Sequence, residues 1–401
     1  MKTTIGTHCT VTSSKRFHLS ERSESGVPFF CSKQIIQLEN GEMPSDYDHI
    51  TNEHFRDIQI KYGVPSSGDL LITTRGTYGI PYIYKERDCF YFADGNLTWL
   101  KDFDDCLSSH YLYYWFKSYE GQKKIDAIAK GTAQKAVPIA LIKDLQLTLP
   151  PISQQKRIAS ILSAYDDLIE NNRRQIKLLE EAAQRLYRKW FVELRFPGHE
   201  SVKVVDGVPE GWTVTTASEV TNVLRRGISP NYDETARLSV ISQKCIRQYM
   251  VDMNQVRRQS KSFDSSMGLL DSDTVICSTG TGTLGRVGKV FGNHPNCTFD
   301  SHVTLVRTNG TVGKHYLNLR MYELREYFDS CKTGSTNQTE LSRSIVQNVK
   351  VYIADSHTQQ IFEKIEEAYH QKMMICQHQI QLLTETRDRL LPKLMNGEME
   401  V

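Results

Sequence analysis

At 401 residues, 39% hydrophobic and 24% charged, the sequence has the composition of a globular protein of two or three domains. Its formal net charge of +2, spread as −1 over residues 1–150, +2 over 151–200, +3 over 201–355 and −2 over 356–401, excludes binding to nucleic acid through bulk charge alone. Nine scattered cysteines with no CxxC pair, no long apolar run and no leader-like N-terminus argue against a disulfide framework, a zinc site, a membrane span and secretion, and for a reducing cytosol.

The first 150 residues alternate short β-branched and aromatic runs such as Leu70–Thr74 with Gly, Asn and Asp turns, which predicts strands. Tyr111–Ile128 predicts a helix, so this segment reads as an α+β globule. His110 has no carboxylate or cysteine at ligand or triad spacing, and a buried or capping histidine is expected there. "KGTAQK" (130–135) is a polar loop before an apolar-periodic stretch. "TLPPI" (148–152) has the prolines of an adenine-methyltransferase loop but lacks its amide or carboxyl donor, and reads as the entry to a helix.

That helix is long and free of Gly and Pro. At alternating four- and three-residue steps from Ile158 to Trp190, nine of ten positions are apolar, which makes a heptad seam. Asn172 is the polar exception: it either lies buried, fixing register, or faces solvent where the helices diverge. About 37 residues at 1.5 Å each give a rod of roughly 55 Å, or about one and a half turns of B-DNA at roughly 34–36 Å per turn.

The second half repeats this order. Val275–Ser278, Val303–Val306 and Val349–Ile353 predict strands, and Lys314–Phe328 a helix. "GTGTLG" (280–285) matches the dinucleotide fingerprint, but the glycine-broken "RVGKVFGNHPNCTFD" follows it where a helix is required, so a strand–turn–strand loop is expected. The segments "GDLLITTRGTYG" (68–79), "FADGNLTWLK" (92–101), "HYLYYWF" (110–116) and "GTAQK" (131–135) have counterparts in order at 271–285, 298–307, 315–321 and from 334. The heptad seam returns 204 residues later from Phe362, interrupted by Glu366 and Arg387, with Pro392 expected to kink or end that helix before Leu394. The fold class is therefore α+β: two similar α/β globules separated by two long helices that form an antiparallel coiled coil, in a pseudo-two-fold repeat.

On the strings "LPPISQQKRIASILSAYDDLIENNRRQIKLLEEAAQRLYRKWFVELRFPG" (149–198), "GVPEGW" (207–212) and "RDRLLPKLMNGEMEV" (387–401), the chain resembles the specificity subunits of type I restriction–modification systems along essentially its whole length. It departs from them at "VYIADSHTQQ" (351–360), which lacks the proline pair, and at Glu366 and Arg387. The resemblance implies residues 1–150 as a first target recognition domain and 151–196 as a spacer helix. It implies 197–355 as a second recognition domain and 356–401 as a second spacer helix. Each globule would read one half of a split site in double-stranded DNA. Two modification subunits holding S-adenosylmethionine would dock on the helices, and restriction subunits using ATP and Mg would join them. This chain itself would have no catalytic residue, cofactor or metal. The rival readings are a standalone DNA adenine methyltransferase and a coiled-coil scaffold that binds no DNA.

Long or polar side chains at corresponding loop positions are the candidate base contacts, because Asn and Gln pair bidentately with adenine, and Arg and Lys with guanine. They are Lys33, Arg75, Thr77, Tyr78, Gln134 and Lys135 in the first copy. In the second they are Lys244, Thr281, Thr283, Arg286, Asn337 and Gln338.

Overall fold

The computed structural model describes all residues except Met1, Asp94, 132–134, Thr281 and 332–339, and leaves the Leu19 side chain undescribed. The chain divides into two compact units, Met1–Arg173 with Gln379–Val401, and Arg174–His378.

The first unit begins with β1 (Lys2–Thr4), α1 (Ile5–His8), β2 (Thr10–Thr12), β3 (Val27–Phe30) and α2 (Ser32–Glu39). Next come β4 (Asp48–Ile50), α3 (Asn52–Lys61), β5 (Leu70–Thr73), β6 (Pro81–Ile83), β7 (Tyr91–Phe92) and β8 (Leu97–Lys101). It continues with α4 (Ser109–Lys117), α5 (Tyr119–Ile128), α6 (Ile139–Lys143) and β9 (Gln146–Thr148), then enters α7 (Ile152–Tyr187). The strands form a sheet β2-β8-β5-β6, a sheet β4-β3-β7 with β3 parallel to β7, and the pair β1-β9. Leu70, Ile72 and Leu100 from the larger sheet join Leu112, Trp115 and Phe116 of α4 in a core that also takes in Ile158 and Leu162 of α7.

The second unit adds a hairpin, β10 (Val204–Val205) with β11 (Val208–Pro209), before β12 (Thr213–Thr216), β13 (Thr221–Arg226), β14 (Leu238–Ile241) and β15 (Arg257–Gln259). Then come β16 (Thr274–Cys277), β17 (Val287–Lys289), β18 (Cys297–Phe299), β19 (Val303–Thr308), α8 (Lys314–Glu323) and α9 (Arg325–Ser330). The unit closes with α10 (Arg343–Gln347), β20 (Lys350–Ile353) and the start of α11 (Ser356–Met395). Its sheets, β13-β19-β16-β17, β15-β14-β18 and β12-β20, reproduce those of the first unit strand for strand, including the parallel pair β14–β18. The duplication in the sequence is thus a duplication of topology.

Tyr111–Ile128 was expected as one helix, and two are found. Ser118, extended at φ −74°, ψ 158°, ends α4 and caps α5 by accepting from the Gly121 amide at 3.2 Å. A Cβ on Gly121 would lie 2.0 Å from the Trp115 carbonyl oxygen, so the corner requires glycine. The predicted helix Lys314–Phe328 is likewise split, at Leu324.

Within each unit the long helices pack antiparallel. In the first, Ile158 and Leu162 of α7 share a core with Leu394 and Leu390 of α11, and Asp166 pairs with Arg387 at 2.5 Å. In the second, the π-turn Arg188–Val192 that follows α7 sets Trp190 and Phe191 against Phe362, ring centroids 5.6 and 4.9 Å away. Phe191 also meets Trp212 of the "GVPEGW" string at 5.5 Å, tying helix to globule. Asn172 is buried, and its amide donates to the Leu168 carbonyl of its own helix at 3.0 Å. The helix does not end at Pro392: α11 runs through it to Met395. Only the bond to the carbonyl four residues back is lost, close to the helix end, and Leu394 beyond it is buried in the first unit's core.

Candidate nucleic-acid interface

In the first unit the β5–β6 loop is clipped into a frame. The Thr74 amide donates to the Asn96 carbonyl at 2.8 Å, and its carbonyl accepts from the Val137 amide at 2.8 Å. Arg75 bridges Ala136, which in turn bridges Lys130. Gly76 and Gly79 sit at φ +72° and +80°, a region closed to most side chains, and Gln122 of α5 donates to the Gly79 carbonyl at 2.8 Å. The rigid frame leaves Arg75, Thr77 and Lys135 exposed together, with Tyr78 half-buried against the core. Lys33 is brought to the same rim, because Ser32 beside it donates to the Asn96 carbonyl at 2.9 Å. Its ammonium is held by Asp46 at 2.7 Å.

The second unit repeats three contacts of this frame. The Ser278 amide donates to the His302 carbonyl at 2.8 Å, the Leu341 amide to the Ser278 carbonyl at 2.8 Å, and Thr279 bridges Glu340. The "GTGTLG" stretch joins the antiparallel strands β16 and β17, as the strand–turn–strand reading expected. Thr283 Oγ1 donates within the loop, to the carbonyls of Thr279 at 3.0 Å and Gly280 at 3.3 Å. Arg286 is folded back on the Gly282 carbonyl at 2.7 Å. Lys244 is exposed beside Gln243, whose amide donates to Thr279 Oγ1 at 2.9 Å. Gln134, Thr281, Asn337 and Gln338 lie outside the described residues.

Sequence reasoning missed Gln243, Arg226 and His302. Arg226 donates to the Leu341 carbonyl at 2.8 Å and pairs with Glu340, while His302 Nδ1 lies 2.7 Å from Thr279 Oγ1. For His302 the signal was available in the repeat, since "DSH" (300–302) falls on "DGN" (94–96), whose Asn96 carbonyl frames the first loop.

Of the histidines at corresponding places in the two copies, His315 is buried and His110 is exposed. Among the described residues, one His/Asp/Cys group has ligand atoms close together, namely His8, Asp104 and Cys106. Both ring nitrogens of His8 are already engaged, with Asp104 at 2.8 Å and Thr3 at 2.9 Å, so the group reads as a hydrogen-bonded corner. No helix among the described residues is long and apolar enough to cross a membrane.

Two framed polar loops at corresponding places, on scaffolds with no assembled catalytic group among the described residues, are suited to reading a surface. Residues 4–181 match the family described as "Type I restriction modification DNA specificity domain". The specificity subunit of the type I restriction enzyme MjaIX from Methanocaldococcus jannaschii is 25% identical over 390 residues, covering 94% of this chain and 87% of the relative. The HindI specificity subunit from Haemophilus influenzae is 22% identical over 329 residues, 64% of this chain and 70% of the relative. The crystal structure of a type I restriction–modification S subunit from M. genitalium shares the fold, with a TM-score of 0.61 at 16% identity over 98% of this chain and 96% of that one.

Proposed function

We propose a function on the premise that this chain belongs to the specificity-subunit family of type I restriction–modification systems. It is the non-catalytic, cofactor-free subunit that gives such a complex its DNA sequence specificity. Each globule reads one half of a bipartite site through its own framed loops, Arg75–Tyr78 with Lys135 in one and Thr279–Arg286 with Lys244 in the other. The observation that supports this most is the repetition of the same loop-frame bonds in both units. Two modification subunits supply the S-adenosylmethionine chemistry, and restriction subunits add ATP-driven cleavage. A place for two modification subunits is suggested by exposed apolar residues on the long helices. Leu168 and Leu382 belong to the first unit, and Leu178 and Ile375 to the second.

The test exchanges residues 1–148 for those of a relative whose site is known and maps methylated adenines. One half of the recognised sequence should change and the other stay. A change in both halves would overturn the assignment.

The 36-residue α7 and its partner act as a ruler for the gap between half-sites. Seven residues inserted between Ala182 and Ala183, matched by seven between Thr386 and Arg387, add about 10 Å of helix, or about three base pairs at roughly 3.4 Å each. The spacer should lengthen by that amount with both half-sites unchanged. A four-residue insertion should do worse, because it rotates the apolar seam into water.

A further inference from the structure

The two units differ on one outer ribbon of the globule. In the second, residues 226–237 leave the loop rim at Arg226 and Ile228, the latter bridging Asp300. They then run beside the edge strand β15, with Tyr232 bridging Gln259 and the Asp233 amide donating to the Arg258 carbonyl at 3.2 Å. This ribbon, 226–237 with 257–261, has five basic and two acidic residues. Its exposed cations meet ring faces and carbonyls. The Arg257 guanidinium lies 3.5 Å over the Tyr232 ring, Arg258 donates to the Ala236 carbonyl at 2.8 Å, and Lys261 to the Ser229 carbonyl at 3.2 Å. Asp233 is turned onto Thr235 of its own turn.

The matching ribbon of the first unit, 12–25 with 48–52, has three basic and three acidic residues. There two of the three cations are matched to carboxylates, Lys15 to Glu21 at 3.4 Å and Arg22 to Asp48 at 2.5 Å, and Arg16 alone has no ion-pair partner among the described residues. The same backbone thus presents a neutralised edge in one unit. In the other, Arg257, Arg258 and Lys261 have no ion-pair partner among the described residues.

We propose that the β15 ribbon of the second globule grips the DNA backbone beside the half-site that its loops read, and that the first globule has no equivalent grip. This rests on the DNA-reading function proposed above. Three arginine or lysine side chains fixed by stacking and carbonyl bonds, with their charge unspent, are suited to phosphate oxygens, which take charge-assisted bonds. The ribbon is continuous with the loop rim, so a duplex lying on the loops has its backbone within reach of it.

The experiment uses the complete modification complex with a duplex containing the site. Equilibrium binding is measured across a salt series, and ethylation interference locates the phosphates that matter. In the triple variant Arg257→Gln, Arg258→Gln, Lys261→Gln, the slope of log affinity against log salt should become shallower by up to about 2.7, at roughly 0.9 per phosphate contact. A cluster of blocking phosphates at the second half-site should vanish, and the methylated sequence should stay the same. The control Arg56→Gln, Lys61→Gln on α3 of the first globule removes two charges and should leave the slope where it was.

An unchanged slope in the triple variant overturns the grip, and so does an equal change in the control. If the triple variant fails to assemble with its partner subunits, the ribbon is a protein-docking face and the grip is likewise overturned. Failure of the unaltered complex to prefer its site would instead sink the underlying function.

Discussion

The two units rest their globules on the long helices through joints made of opposite materials. In the first, Ile83 at the end of β6 pairs with Leu70 and packs on the apolar cluster that includes Ala159 and Leu162 of α7. In the second, the same ladder position is Lys289, paired with Thr274 and fully buried, and the helix position of Leu162 is taken by Glu366, 1% exposed. Around them runs a chain of polar contacts. Lys289 Nζ donates to His315 Nδ1 at 2.6 Å, His315 Nε2 to Glu367 at 2.9 Å, and His370 Nε2 to Asp271 at 2.8 Å. Glu363 of α11 accepts from the Tyr316 and His315 amides at 2.8 and 3.2 Å and so caps α8, whose own cap residue is Gly313. In the first unit α4 is capped by its own Ser108, with the neutral Gln155 accepting from the Ser108 amide at 3.0 Å. One backbone layout therefore accepts either filling, provided the buried charges are collected into a network.

The filling leaves marks on the titrating groups. Burial pushes the Lys289 ammonium down to about 8, against the pull of Glu366 and Glu363. Burial pushes the Glu366 carboxyl up to about 7, with Lys289 opposing. Burial, then Lys289, hold His315 down to about 3, so the ring stays neutral and accepts from the lysine. Glu366 Oε1 and His370 Nδ1 find no hydrogen-bond partner among the described residues, so the network is satisfied only in part.

The harshest way to break the comparison is to give the dry joint the acid of the wet one. Leu162→Glu sets a carboxyl in a cluster of apolar side chains, where Arg387, the cation held one turn along α7, is already taken by Asp166. An unpaired buried charge should cost about 4 kcal/mol. Hydrogen exchange in the full chain should show protection lost along α4, β5 and β8, with β16 and β19 unaffected. Retained protection in the first unit would mean that its joint is wetter than its burial shows.

Lys289→Ile makes the converse change and should cost less, about 3 kcal/mol, because Glu366 can take a proton in place of its cation. The His315 Nδ1 acceptor also loses its donor. Exchange should quicken in β17 and α8 while the first unit stays as it was. Loss of protection in both units alike would refute a local joint.

What could be read beforehand follows from the range of the interactions. The heptad seam of α7 is a local signal: seven of its ten positions are buried and the other three half-buried, because a 3.5-residue period alone turns them to one side. The duplication was legible for the same reason, and so were the strand–turn–strand loop at "GTGTLG" and the helix entry at "TLPPI". The split at Ser118 was not, since apolar periodicity runs on through the corner and only Gly121 marks it. Glu366 appeared as a flaw in the second seam. Its counter-charge, Lys289, lies on a strand distant in sequence, and no local pattern links the two. The cationic ribbon was hidden because a segment charge of +3 averages it with the acids elsewhere in the globule. Of the candidate base contacts, the loops could be named from repetition, but the spending of Thr283 and Arg286 on loop carbonyls depends on backbone geometry.

The mildest change is the most discriminating. Lys289→Ile with Glu366→Leu gives the second unit the two residues that the first has at these positions. Removing both charges should restore about 1–3 kcal/mol of what Lys289→Ile alone loses, and a double-mutant cycle reads this coupling directly. A pH signature should accompany it. A lysine whose folded pKa lies near 8, below its unfolded value of about 10.4, binds fewer protons folded than unfolded in between, so stability rises with pH across that window. From pH 8 to about 9.5 the unaltered chain should gain about 2 kcal/mol relative to the double variant, at about 1.4 kcal/mol per pH unit. Glu366, raised above its unfolded value, acts the other way and lowers stability as pH climbs from about 4.3 to about 7. His315, depressed below its unfolded value, raises stability through part of that same range. The acid limb is therefore a contest between them. Above pH 8 both are settled, and the titrating cysteines are common to both proteins, so the difference there isolates the lysine. If denaturant unfolding of the second unit gives parallel pH profiles for the two proteins, burial does not depress Lys289 at the joint, and the contrast between a dry seat and one built on a buried lysine fails.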